Sequence, residues 1–297
     1  MSTAILLVVT GLGLGALYFL AASGLSLIYG LMGVLNFAHG AFMLAGAYAG
    51  WLTMGALPGS VPVGVKLLLA VLVATAVGAV VGLVVEVVLI RPLYRRHIQQ
   101  VLVTVGLALA GTAAVQGIWG SDPHPIDKPA WLAGTTEVAG AQLPNDRFLY
   151  IGVAVVVFLG LLALLRFTRL GLVIRAGVEN RTMVEALGID VQSTFTVVFA
   201  MGGAAAGLAG ILYATYAGSV SPAQGASLLI FAFIVVVIGG MGSFVGTAVA
   251  AVVVGLVQQY ANYYASSGVG DLAVVLLLAL TLLVRPTGLW GKVAVAH

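Results

Sequence analysis

Long apolar runs, interrupted by short polar or glycine-rich stretches, fill the chain from its fourth residue onward. Runs long enough to span a bilayer fall at about 4–29, 32–56, 63–90, 98–119, 148–165, 195–217, 226–241, 244–264 and 266–284. A hydrocarbon core of ~30 Å needs about 20 such residues in a helix. The direct count is nine spans. Around Gly30–Gly33 and Gly239–Gly242 neighbouring runs are separated by glycines rather than polar loops, so eight stays open. The pattern predicts an all-α polytopic integral membrane protein of eight or nine transmembrane helices. It forms a single membrane-spanning domain over 1–297, with related halves at about 1–119 and 148–297 and glycine-broken helices. An outer loop, 120–147, and a cytoplasmic segment, 166–194, complete it.

Composition agrees. The chain is 62% hydrophobic and 7% charged, where a soluble domain carries about 25% charge, so most of its surface must face lipid. The 40 glycines, roughly twice the usual ~7% share, point to close helix packing and interrupted helices. The pairs Gly11/Gly15, Gly46/Gly50, Gly78/Gly82, Gly203/Gly207 and Gly242/Gly246 have the spacing of helix–helix contacts. With no cysteine, disulfides, thiolate metal sites and cysteine nucleophiles are excluded. A net charge of +3 is too small to imply nucleic acid. No basic region precedes the first apolar run, the first Lys or Arg being Lys66, so no secretory signal is expected.

Basic loops stay in the cytoplasm. Arg91, Arg95 and Arg96 share one short loop, Arg166, Arg169, Arg175 and Arg181 a second, and Arg285 and Lys292 lie in the tail. Only Lys66, Lys128 and Arg147 remain for the outside. Nine crossings then put the amino terminus outside and the carboxyl terminus inside. The outer loop carries Asp122, Asp127, Glu137 and Asp146 with four prolines; it reads as a solvated connector or as a docking surface for an external partner. Trp119, Trp131 and Tyr150 are expected near the headgroups.

Gly30-Leu31-Met32-Gly33 recurs late in the chain as Gly239-Gly240-Met241-Gly242. Each copy ends an apolar run and precedes a residue suited to cap a new helix, Asn36 in the first and Ser243 in the second. Glycine costs about 1 kcal/mol in a helix relative to alanine, so each cluster predicts an interruption. Paired interruptions in two halves of a transporter point to its translocation site. The bland alternative is loop glycines and a chance match. Asn36, His39 and Gly40 follow the first break, and polar side chains at membrane depth tend to face a protein interior or a pathway. The pathway expected from this pattern comprises Asn36, His39, Gly40, Gly239, Gly240, Gly242 and Ser243, with helix N-termini near mid-membrane holding a solute carboxylate.

Between the fifth and sixth runs lies a segment too polar to span. A helix over Val173–Leu187 would set Arg175 one turn from Glu179 and Arg181 one turn from Glu185, with Gly188 as its stop. Glu185-Ala186-Leu187-Gly188-Ile189, preceded by Arg175-Ala176 and Glu179-Asn180, resembles the coupling motif of ABC importer permeases. Ser23 to Gly50, with its Asn-Phe-Ala-His-Gly run, is similar to the signature of the branched-chain amino acid permeases, a group that includes urea and short-amide permeases. Phe233 to Leu256 fits the same family. One departure is Ala41, where many members carry an acidic residue.

The resemblance implies a permease subunit in a bacterial inner membrane. It implies pairing with a second homologous permease, two cytoplasmic ATPase subunits and an external solute-binding protein, within membrane lipid. Contact with the ATPase would fall to Arg175, Glu179, Asn180, Arg181, Glu185, Ala186, Gly188 and Ile189. No lysine is followed by Ser or Thr, so the chain carries no phosphate-binding loop and is expected to be neither an enzyme nor a cofactor protein. An ion-coupled secondary transporter is the chief alternative. Such proteins place titratable groups within the membrane, and Glu86 is the one carboxylate well inside a run; Arg91, five residues on, is its expected partner.

Overall fold

The computed structural model describes residues 2–33, 35–94, 96–186, 191–266 and 268–291, with the backbone alone at 177–182, 185 and 186. Among these residues the chain forms eleven α-helices. In order they are α1 (Ser2–Met32), α2 (His39–Ala56), α3 (Val63–Val85), α4 (His97–Trp119), α5 (Ala130–Ala133) and α6 (Asn145–Phe167). Then follow α7 (Arg169–Ala186), α8 (Val191–Ala217), α9 (Gln224–Gly239), α10 (Phe244–Tyr264) and α11 (Val269–Val284). A π turn, Glu86–Ile90, and a 3₁₀ turn, Arg91–Leu93, extend α3. Six helices are long and apolar enough to cross a membrane: α1, α3 with its extension, α4, α6, α8 and α10. Helices α9 and α11 are apolar but only 16 residues long, or about 24 Å at 1.5 Å per residue.

The distribution of apolar surface explains the arrangement. Helices α4 and α6 sit at the periphery and expose Ile98, Leu102, Leu109, Ile118, Val156 and Leu159, a surface that water would not tolerate and a bilayer requires. Helices α1 and α8 are the centre. From Gly13 to Ile28 every residue of α1 is buried, and α8 buries Gly202, Gly203, Gly207 and Gly210 against its neighbours. The glycines are why the backbones meet. A Cβ on Gly207 would lie 2.1 Å from the Ala74 carbonyl of α3, and one on Gly210 2.0 Å from the Met43 carbonyl of α2. One on Gly24 of α1 would lie 2.5 Å from the Gly202 carbonyl. The small-residue pairs at 46, 78, 203 and 207 therefore do what their spacing predicts.

The loop between α4 and α6 is ordered by two short strand pairs. β2 (Thr135–Val138) and β3 (Ala141–Pro144) form a hairpin. Its two turn residues, Ala139 and Gly140, have φ of 50° and 78°, as a type I′ turn needs. β1 (His124–Pro125) pairs with β4 (Ser219–Val220), tying this loop to the α8–α9 connection. At its end Asp146 is buried, 3.4 Å from Lys128 Nζ and 3.3 Å from Arg147 Nη1. The Arg147 guanidinium stacks on Tyr216. Tyr150 corrects the expectation of a headgroup residue: it is fully buried against Tyr216, because α6 starts at Asn145 and turns that face inward.

Candidate functional site: two glycine breaks at one end of the bundle

The two glycine clusters come together in space. A Cβ on Gly30 would stand 3.4 Å from Gly242 Cα, and one on Gly40 would stand 2.8 Å from the Gly225 carbonyl of α9. Phe37, just after the first cluster, stacks on Phe233 of α9 with centroids 6.2 Å apart. Both clusters lie at the end of the bundle that also carries Arg91, α7 and the carboxyl tail, not half-way along the helices. Asn36 lines the same small cavity as Gln100, which is only three residues into α4.

The first break differs from its sequence reading. Helix α1 runs through Gly30 and ends at Met32; the reversal falls on Gly33, whose φ of 66° only glycine adopts without strain. Asn36 does not cap α2. That helix starts at His39 with Ala38 before it and no side-chain cap, while Asn36 Oδ1 accepts from the Ala38 N–H at 3.1 Å. A two-residue reach closes an Asx turn, so Asn36 shapes the approach to α2 rather than its first turn. Asn36 Nδ2 and Gln100 Oε1 face a cavity of about 10 Å³, also lined by Thr104, and neither has a partner among the described residues. Such space suits one water molecule, and an amide left unpaired there costs about 1–3 kcal/mol. Sequence reasoning passed over Gln100 and Thr104; the signal was present, a glutamine inside an apolar run.

His39 is fully buried, with Nε2 3.0 Å from the Ala21 carbonyl. It fills the space that Gly24 leaves, and so joins α2 to α1. Its contacts are those of a packed side chain.

At the second break the capping expectation fits. Ser243 Oγ accepts from the Gly246 N–H at 3.1 Å, starting α10. Gly240 and Gly242 have φ of 97° and 82°. The space beside Gly240 is not open: a Cβ there would meet Gly291 N at 2.3 Å. The tail folds back, and the N–H groups of Leu289 and Trp290 donate to the carbonyls of Ile238 and Gly239 at 2.8 and 3.1 Å. These are among the last carbonyls of α9, which have no partner within the helix. A distant segment of chain thus caps α9, which no local pattern announces. Gly239 itself packs on Gly246, where a Cβ would come within 2.6 Å of backbone.

The segment after α6 is helical from Arg169 to Ala186, starting four residues earlier than its sequence suggests. Thr168 supplies the reason: its Oγ1 accepts from the Gly171 N–H at 3.1 Å, an N-cap bond. Arg175 Nη1 donates to the Leu165 carbonyl at 2.7 Å, folding α7 against the end of α6. Glu179, Asn180, Arg181, Glu185 and Ala186 lie on this helix, with side chains outside the described set, and Gly188 and Ile189 lie outside the described residues.

Comparison with known proteins adds the family. The sequence model of a family described as "Branched-chain amino acid transport system / permease component" matches residues 7–285. The high-affinity branched-chain amino acid transport system permease proteins LivH of Salmonella typhimurium and of Escherichia coli K12 are each 29% identical over 293 residues. These alignments cover 95% of this chain and 94% of each relative. BraD of Pseudomonas aeruginosa, named for the same system, is 29% identical over 292 residues, with 96% and 94% covered. No solved structure matches the chain. A multi-pass apolar bundle matched almost end to end by one family model settles the assignment: the chain belongs to the family of branched-chain amino acid transport system permease components.

Proposed function

We propose that the chain is one membrane subunit of an ATP-driven importer that brings branched-chain or other hydrophobic amino acids into a bacterial cytoplasm. The observation that carries this is the unbroken family match from residue 7 to residue 285. The substrate follows the relatives, which are named for branched-chain amino acids. The working assembly holds a second homologous permease, two ATPase subunits and an external solute-binding protein. The chain crosses the inner membrane nine times, the amino terminus outside, with α2, α9 and α11 as the shorter crossings. It is one domain of two related halves.

In this reading the cytoplasmic end of the pathway passes the facing breaks. Asn36, Gly40, Gly239, Gly240, Gly242 and Ser243 shape it, with Gln100 and Thr104 added as polar lining and His39 as the residue holding α2 in place. The ATPase docks on α7 and the residues after it, through Arg175, Glu179, Asn180, Arg181, Glu185, Ala186, Gly188 and Ile189. The buried Glu86 is held by Thr196, Tyr94 and Arg91, contacts that suit a structural network between α3 and α8.

The test is radiolabelled leucine uptake in a bacterial strain stripped of its own leucine importers, expressing this chain with the transport proteins encoded beside it. Uptake competed by isoleucine and valine, and untouched by urea or acetamide, is expected. Competition by urea or acetamide alone would assign the short-amide branch instead.

A further inference from the structure

Glu86 is completely buried at the start of the π turn that ends α3. Thr196 Oγ1 of α8 donates to its Oε2 at 2.7 Å. The Tyr94 hydroxyl donates to its Oε1, and Arg91 Nε stands 3.5 Å from the same oxygen. Arg91 Nη2 closes the ring by donating to Thr196 Oγ1 at 2.8 Å. The Tyr94 ring also meets Phe195 edge-on, at 5.1 Å. One short stretch of chain, 86–94, therefore grips two successive residues near the start of α8.

A buried charge network is poor value as plain glue, since well-packed apolar side chains commonly hold two helices as well or better. What it supplies is one fixed relative position, and its members lose that together when one partner leaves. The π turn adds to this: such turns are rare and recur at functional sites, where the extra residue re-aims side chains. The position in the chain is equally specific. Helix α8 starts at Val191, directly after the segment that ends α7 at Ala186. Further along α8, Gly203 and Gly207 meet the backbone of α3 and Gly210 that of α2 with no side chain between them, while Gly202 packs on Ile28 and Gly24 of α1. Displacement of the start of α8 passes to those helices undamped.

We propose that Glu86 is the positioning residue of a joint between α3 and α8, through which movement of α7 reaches the helices around the two breaks. This rests on the reading of α7 as the ATPase-docking helix. Glu86 touches neither solute nor nucleotide; it sets the angle at which α8 enters the bundle.

The experiment compares wild type with Glu86→Gln, Thr196→Val and Tyr94→Phe in the complete importer, reconstituted in proteoliposomes, recording leucine uptake and ATP hydrolysis together. Each variant is expected to assemble with the ATPase and to hydrolyse ATP at half the wild-type rate or more. Leucine moved per ATP should fall at least tenfold in Glu86→Gln and at least threefold in the other two. Unchanged uptake, or uptake and hydrolysis falling in proportion, would overturn the joint. Should Glu86→Gln fail to assemble, the other two decide, since both leave the Glu86–Arg91 ion pair: Tyr94→Phe removes the hydroxyl bond to Glu86, and Thr196→Val removes the bonds of Thr196 with Glu86 and Arg91; failure of all three to assemble reduces the network to a structural one and also overturns the proposal. Absence of ATP-driven uptake in wild type would instead contradict the importer reading itself.

Discussion

Gly33 and Gly240 separate two effects that a glycine-rich sequence confounds. Both have positive φ, 66° and 97°. Gly33 has nothing within 4 Å of the position a Cβ would take, whereas Gly240 has Gly291 N at 2.3 Å. Gly33→Ala should cost only the left-handed penalty, about 1–2 kcal/mol. Gly240→Ala should cost that and a further ~1–3 kcal/mol for backbone overlap, and should release the tail. Thermal unfolding of the purified chain, with limited proteolysis of the tail, checks both. Equal losses in the two variants, with the tail equally protected, would show that the 287–291 strap is not held there. At this scale the sequence was partly legible. Ser243 was readable as a cap because its partner, Gly246, is local. Asn36 was readable as polar and buried, but its role was not, because the start of α2 depends on how Phe37 and His39 pack on α9 and α1. The strap on Gly240 was invisible, since it joins positions some fifty residues apart through backbone groups alone.

At the scale of elements, apolar run length located the six helices that are long and apolar enough to cross a membrane, because lipid demands that each be continuous and internally hydrogen-bonded. The polar elements were harder. The π turn at Glu86 and the pairing of β1 with β4 depend on partners distant in sequence, α8 for the first and the α8–α9 connection for the second. Glycine spacing carried real information about which helices touch, but not which glycines matter. The contacts now distinguish them. Gly207→Ala places a methyl 2.1 Å from the Ala74 carbonyl and should destabilise the bundle by about 1–3 kcal/mol, as overpacked cores do. Gly160, exposed on α6, has nothing within 4 Å, and Gly160→Ala should be neutral or stabilising by up to about 1 kcal/mol through helix propensity. Melting temperatures in one detergent measure the difference. A Gly160 variant as damaged as the Gly207 variant would mean that the periphery of the bundle is covered by a further packed surface.

Across the whole molecule, an ordered loop between α4 and α6, an apolar bundle and a basic end holding α7 and the tail are the parts on which the proposed importer subunit rests. The chain has no phosphate-binding loop, so the proposed importer takes its energy from ATP hydrolysed on another chain. Leucine accumulation in proteoliposomes containing the permease pair, the ATPase and the binding protein tests this most directly. Accumulation should require hydrolysable ATP on the α7 side and persist when protonophore and sodium ionophore collapse every ion gradient. Accumulation that continues without ATP and stops with the ionophores would contradict it.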